Sequence, residues 1–481
     1  MDRRKVKFGG KILVLGYGSV SRCTLPLLLR HVDMPSEKIT VMDFVDYSKR
    51  FSQEVKGARF AVDKITEKSL GTKLSKYVGN GDMIIDLAWN IDCCDILQWC
   101  HDNGVLYVNT SVELWDPYSG KDLQPTERTL YVRHMAIREM VSEWKNKGPT
   151  AVLEHGANPG LVSHFVKVAL LDIAKKLIEE KPRDKRIPEI KKLSNEKDFP
   201  RLSKILGVKV IHISERDTQV TDVPKRVNEF VNTWSVEGFN EEGIAPAEMG
   251  WGTHERMLPK GAHFHKHGPG NQICLSQMGV KTWVRSWVPC GETTGMVVRH
   301  GEAFTISDYL TVWKNGKPVY RPTVHYAYCP CDSAINSLHE LEMRWFDIQK
   351  NQRILTDEIT EGRDELGVLL MGHDFKAWWT GSLLDIDESR RLVPHQNATV
   401  LQVACSVLGA IVWMIKNPKE GVLVPDQLPY EEIMAWALPY LGPFISRQVD
   451  WTPLKNRFDL YEKFSGPVLQ DEWQFESFLV R

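Results

Sequence analysis

The run Gly16-Tyr17-Gly18-Ser19-Val20-Ser21 has the residue types and spacing that suit a pyrophosphate. In a dinucleotide fold the first glycine makes a tight turn and the second lets the backbone approach the phosphates, which rest on the N-terminus of the next helix. A small residue is needed where that helix packs on its strand, and Ser21 can stand there in place of a third glycine. Asp43 ends the following apolar run, where a carboxylate would accept both ribose hydroxyls and repel a 2′-phosphate. That predicts NAD rather than NADP, with Gly16, Gly18, Ser19, Val20 and Asp43 as cofactor-binding residues. An ordinary βα turn followed by a strand-end aspartate is the plainer alternative.

A second group of residues points to different chemistry. Glu215, Trp234, Glu237, Glu242, Glu248, Trp251 and Glu255 bring carboxylates and indoles together with few matching bases, and His300 and Glu302 follow at an expected strand end. Carboxylates hold ammonium groups by charge-assisted hydrogen bonds, and an indole face attracts a desolvated cation by about 0.5–2 kcal/mol. Such residues can form a pocket for organic cations or be surface acids and core tryptophans. Asn158, in Gly156-Ala157-Asn158-Pro159-Gly160 at the end of a strand, is placed to hold a nicotinamide or a substrate amine, or simply to make a turn. Metal spacing is poor. Cys329-Pro330-Cys331 lacks the two-residue gap of a zinc site, His339-Glu340 lacks a second histidine, and His263, His265 and His267 lie in a glycine-rich loop expected to be solvated. No catalytic metal is expected.

These residues need elements to position them. Strands are expected at residues 11–15, 39–43, 83–88, 105–109 and 151–153, with helical periodicity at 24–30 and again through Val162, Phe165, Val166, Ala169 and Ile173. The alternation predicts an α/β fold with a Rossmann-type doubly wound parallel sheet. Residues 175–198, rich in Lys, Glu and Asp, read as a solvated helix end and linker. Short β-type runs at 208–214, 231–236, 282–288, 296–299 and 310–313 predict an inserted α+β substrate domain with an antiparallel sheet. The expected division is 1–160 for the NAD-binding domain, completed by about 390–425, then 161–389 for the substrate domain and 426–481 for a C-terminal extension packing on the core. Residues 399–415 are apolar enough to suggest a membrane helix, but their length and the polar Gln402 and Ser406 favour a buried core helix.

Composition narrows the function classes. At 481 residues the chain has room for two to four domains with sizeable cores, and 42% hydrophobic residues exclude a disordered chain. The 61 basic side chains nearly cancel the 62 acidic ones, so neither nucleic acid nor an anionic membrane finds a surplus of cations. Nine scattered cysteines suit a reducing compartment, and the basic residues 1–7 precede no signal-peptide core, so a cytoplasmic protein is expected.

Longer segments carry a resemblance. Gly-Tyr-Gly-Ser at 16–19, Gly-Ala-Asn-Pro-Gly at 156–160, His-Ile-Ser-Glu-Arg-Asp-Thr-Gln at 212–219 and Phe-Val-Asn-Thr-Trp-Ser-Val-Glu-Gly-Phe at 230–239 are followed by Tyr-Arg-Pro-Thr-Val-His-Tyr-Ala-Tyr at 320–328. Asp-Glu-Leu-Gly-Val-Leu-Leu at 364–370, Gln-Asn-Ala-Thr at 396–399 and Asp-Trp-Thr-Pro-Leu at 450–454 complete the set. Together they resemble the bacterial homospermidine synthase family, within the saccharopine dehydrogenase-like superfamily. The resemblance implies a transferase that retains NAD, oxidises a polyamine amine to an imine, exchanges it with a second amine and reduces the product. Two putrescines would give homospermidine and ammonia, or spermidine would donate the aminobutyl group and release 1,3-diaminopropane, with no net NADH. It implies that Trp234 and Glu215 stabilise the cationic intermediate and that Asn158, Glu113, Glu242, His300, Glu302 and Asp364 surround the diamine. A buried carboxylate of raised pKa or a neutral His300 would take the proton. A homodimer is expected by the same analogy. Ser21 in place of a glycine and Leu114 after Glu113 depart from the family pattern. Two rivals follow: a net oxidoreductase of the saccharopine type, which would need Arg or Lys for a substrate carboxylate, and a catalytically silent NAD-binding regulator.

Overall fold

Short β-rich runs alternate with helices up to Val152, and in the computed structural model they build most of a seven-stranded parallel sheet. Residues 4–120, 122–457 and 471–480 are described. β1 (Ile12–Leu15) pairs with β2 (Ile39–Asp43) on one side and with Met83–Asp86 on the other. Arg59–Val62 lies beyond β2, and Leu106–Asn109, Ala151–Val152 and Val422–Leu423 extend the other half. The chain reverses its direction of winding beside β1, which opens a crevice at the carboxyl ends of the strands. α1 (Ser19–His31) begins at that crevice.

The second sheet has ten strands. β3 (Val210–Asp217) lies between β4 (Thr323–Cys329) and β5 (Arg363–His373). β5 is antiparallel to β3, but β4 is parallel to it, so the sheet is mixed rather than wholly antiparallel. A parallel pair requires a long crossover, and the chain between Asp217 and Thr323, which includes two helices and five further strands of the sheet, supplies it.

Several boundaries differ from expectation for local reasons. The run expected at 296–299 is the strand Gly291–Met296, and His300 caps α2 (Gly301–Tyr309) instead of ending a strand. The run at 231–236 pairs only over Glu229–Asn232, because the Ser235 hydroxyl accepts from Gly238 N and starts the helix Val236–Ile244. The run at 310–313 is the strand Val312–Lys314. The charged stretch expected as a linker holds the helix Ile187–Glu196, which buries Ile187, Ile190 and Leu193 at helical spacing.

α3 (Ala398–Lys416) joins the two sheets. It is the single helix among the described residues long and apolar enough to cross a membrane, and its apolar window is largely buried in the protein. Ala404 and Leu408 share a core with Cys23 and Leu27 of α1, while Ile411 and Met414 share a second core with Leu25 and Leu28. Phe444–Val449 pairs at the edge of the ten-stranded sheet with Lys376–Asp385. Residues 458–470 of the expected C-terminal extension lie outside the described residues.

Candidate functional site

At the first crevice, Gly16 has φ +83°, and a Cβ there would approach the Leu87 carbonyl oxygen to 2.8 Å. Only glycine fits this turn. Nothing lies within 4 Å of the Cβ position of Gly18, which leaves the backbone open to a ligand. The Ser21 hydroxyl donates to the Gly16 carbonyl at 2.5 Å, so the residue that replaces the third glycine also ties down the turn. Asp43 accepts from the Tyr17 and Val45 amides at 2.7 and 2.8 Å. Gly16, Gly18, Ser19, Val20 and Asp43 all line one cleft. A tight glycine turn, an open backbone at a helix N-terminus and a strand-end carboxylate fit a dinucleotide.

Ser235 and Ile354 line the same cleft from the other side, so the cleft runs to the residue after Trp234. Trp234 Nε1 donates to the Tyr328 hydroxyl at 2.8 Å. The Tyr328 and Tyr326 rings stack with centroids 5.1 Å apart, and the His300 ring lies 4.3 Å from Tyr326. The Tyr326 hydroxyl donates to Glu215, and Asn158 Nδ2 donates to both Glu215 Oε2 and the Tyr326 oxygen at 2.6 Å. His300 pairs with Glu242 at 3.0 Å and Glu302 at 3.2 Å. Sheet geometry produces the grouping. Side chains alternate between the faces of a strand, so Glu215 and Asp217 project from one face of β3, and register brings Tyr328 and Asp364 to that face from β4 and β5.

Burial sets the electrostatics. It pushes the Glu215 carboxyl up to about 7, although Tyr326 and Asn158 hydrogen bonds work the other way. Burial raises Asp364 well above the carboxylate range, helped by the charges of Glu215 and Asp217, and it also raises Asp217. His300 responds oppositely. Burial opposes its charge, but Glu302 and Glu242 outweigh that cost and raise its pKa well above the ordinary value. A neutral His300 is therefore not the form the site favours.

Seven of the eight residues expected around the diamine, Asn158, Glu215, Trp234, Glu242, His300, Glu302 and Asp364, thus fall in one connected region. Glu113 lies beside a different cluster. Its carboxyl accepts from Ser111 at 2.6 Å and is pushed up to about 7 by burial and by Glu241, which itself bridges Arg133 and Arg299.

Other acids expected by composition serve structural ends. Glu248 accepts from the Leu130 amide at 2.8 Å at a helix start, Glu255 accepts from Thr323 and Phe475, and Glu237 binds Gln352. Trp251 packs on Phe475. His263 and His267 are exposed, whereas His265 is half-buried and stacks on Tyr131 with centroids 4.2 Å apart. Asp217, Tyr326 and Tyr328 were not anticipated at the site; their alternation along two strands with Glu215 was the available signal.

Models of the saccharopine dehydrogenase NADP binding domain and the saccharopine dehydrogenase C-terminal domain match residues 12–152 and 156–448. Homospermidine synthase from Blastochloris viridis is 43% identical, the alignment covering 99% of this chain and 98% of that protein. The chain belongs to the homospermidine synthase family. Another member, from Mesorhizobium japonicum, is 41% identical over 98% of this chain and 96% of its own. The structure of homospermidine synthase from Legionella pneumophila in complex with NAD is 37% identical, covers 99% of both chains and superposes with a TM-score of 0.88.

Proposed function

We propose that this chain is a homospermidine synthase that transfers an aminobutyl group between polyamines with NAD as its cofactor. The observation that carries the reading is the set of buried carboxyls, Glu215, Asp217 and Asp364, beside Trp234 and Tyr328. Among the described residues, no Lys or Arg forms an ion pair with Glu215, Asp364, Glu242 or Glu302. A net dehydrogenase for an amino acid would need a cation free for the substrate carboxylate, and the nearby Arg133 and Arg299 are both taken up by Glu241. An ammonium group needs what is present.

Gly16, Gly18, Ser19, Val20 and Asp43 would hold the NAD, with the nucleotide domain formed by 1–160 and about 390–425 and the substrate domain by 161–389. When bound, NAD accepts a hydride from the carbon beside the amine and later returns one. Glu215, with its pKa near neutrality, takes the ammonium proton so that the nitrogen lone pair can assist hydride loss. Trp234 presents its face to the cationic imine that follows. Glu242 and Glu302, fixed by the charged His300, hold a terminal ammonium, and Asn158 orients Glu215. Glu113 would meet a more distant ammonium. Putrescine then yields homospermidine and ammonia, or spermidine serves as donor and releases 1,3-diaminopropane. A cytoplasmic homodimer accompanies this reading by family likeness.

The test is incubation with putrescine and substoichiometric NAD, following polyamines by mass spectrometry and NADH by absorbance. Homospermidine in excess over NAD without accumulating NADH is expected. Stoichiometric NADH without homospermidine would overturn the reading in favour of a dehydrogenase.

A further inference from the structure

Asp364 has one well-held oxygen and one bare one. Oδ2 accepts from the Thr399 hydroxyl at 2.7 Å, while Oδ1 is buried without a hydrogen-bond partner. Strand register sets Asp364 opposite Asp217 and diagonal to Glu215 on the same sheet face, and the Glu215 charge acts on this carboxyl.

The direction of the hydrogen bonds behind Asp364 follows from a backbone group. The Ala398 amide at the start of α3 can only donate, and it donates to Gln219 Oε1 at 2.9 Å. Gln219 Nε2 must then donate, and it reaches Asp217 Oδ1 and Thr399 Oγ1, both at 3.1 Å. One lone pair of the Thr399 hydroxyl is engaged, and among the described residues its proton has Asp364 Oδ2 as acceptor, so it donates there. A proton on Oδ2 would leave the buried Thr399 hydroxyl proton without that acceptor, so a proton on this carboxyl is favoured on Oδ1. Asp217 is held more fully: it accepts from Gln219 N at 2.8 Å, from Gln219 Nε2 and from the Thr233 hydroxyl at 2.6 Å, bonds that work against the rise burial imposes on it.

We propose that Thr399 and Gln219 are positioning residues that direct the proton of Asp364 onto Oδ1, so that Glu215 and Asp364 share one proton and one negative charge. The inference rests on the proposed aminobutyl transfer and explains how a crowded acidic site binds a single ammonium group. A pair carrying one charge neutralises the arriving cation. Glu215 then accepts the ammonium proton, the N–H bond breaks with its electron pair left on nitrogen, and Asp364 keeps its own proton. The same helix start aligns the tryptophan segment, because Asn397 Nδ2 donates to the Thr233 carbonyl at 2.7 Å. Since α3 packs on α1, the proton site is fixed relative to the nucleotide turn.

Thr399→Val removes the donor with little change of shape, and Thr399→Ser restores it. Infrared difference spectra through an acid titration of the NAD-loaded protein should show the C=O band of a buried protonated carboxyl, lost in Asp364→Asn. Thr399→Val should move that band to higher frequency, because its carbonyl oxygen loses a donor, and serine should return it. For putrescine, the acidic limb of kcat/KM should rise by about one pH unit in the valine variant, with about a tenfold loss at neutral pH. Thr399→Ala takes the place of valine if that variant does not fold. An unmoved band and a parent-like limb would overturn the assignment. A parent enzyme that makes no homospermidine would instead remove the functional reading, and the infrared band would still decide the protonation geometry.

Discussion

The two faces of β3 bury different titratable groups and do opposite things with them. On one face are Glu215 and Asp217; on the other are His212 and Ser214. His212 Nδ1 lies 3.0 Å from the Ser286 hydroxyl, its ring is 4.3 Å from that of His325, and Phe478 and Phe475 cover the pair. No carboxylate forms an ion pair with either histidine among the described residues. Burial lowers His325 to about 4 and takes His212 well below its ordinary value. His300, equally enclosed but held by two glutamates, moves the other way. Burial alone removes charge, whereas burial with opposite charges in hydrogen-bonding reach preserves it. The comparison separates a face built to stay neutral from one built to handle protons and cations.

The largest effect should come from the charged face. Glu215→Gln keeps the shape but removes the proton acceptor, and putrescine turnover should fall by about 10²–10⁴ with NAD affinity retained, as measured by steady-state kinetics and calorimetry. Next, Trp234→Ala removes the face offered to the cation. A loss of about ten- to thirtyfold in kcat is expected, with part regained in Trp234→Phe, while unchanged turnover would remove the role assigned to this indole.

The third prediction sets the faces against each other through pH. Glu215 rises from 4.5 to about 7 on folding, so the fold favours its protonated form, and its contribution to stability is lost as pH climbs between those values. His325 falls from 6.5 to about 4, so the fold favours its neutral form, and stability is lost as pH drops through that window. Each is worth at most about 3 kcal/mol. Denaturant titrations across pH should show Glu215→Gln flattening the loss between 4.5 and about 7. The smallest effect belongs to His325→Asn, which should flatten the acid loss and leave turnover near the parent value.

Much of the nucleotide half was legible because its signals are local. Gly16, Gly18 and Asp43 each announce a backbone need or a strand end within a few residues. The site in the second sheet was only partly so. His300 and Glu302 were readable as a pair, but their place at a helix start depended on Gly291–Met296 pairing earlier than its apolar pattern suggested. Tyr326 and Tyr328 joined through a parallel register across a long crossover, which no short window contains. Thr399 reads as part of an apolar helix, and its single hydroxyl acquires meaning only when the helix start meets β5. Glu237, Glu248 and Glu255 show the converse, since a local density of acids does not reveal which face of a sheet or helix they occupy.

The central claim is that hydrogen removed from an amine at the charged face returns to the same carbon skeleton. Putrescine deuterated at both amine-bearing carbons, turned over with unlabelled, substoichiometric NAD, tests it directly. Homospermidine carrying all of the label from both parent diamines is the expected product. Loss of deuterium to solvent or to accumulating reduced cofactor would contradict the account.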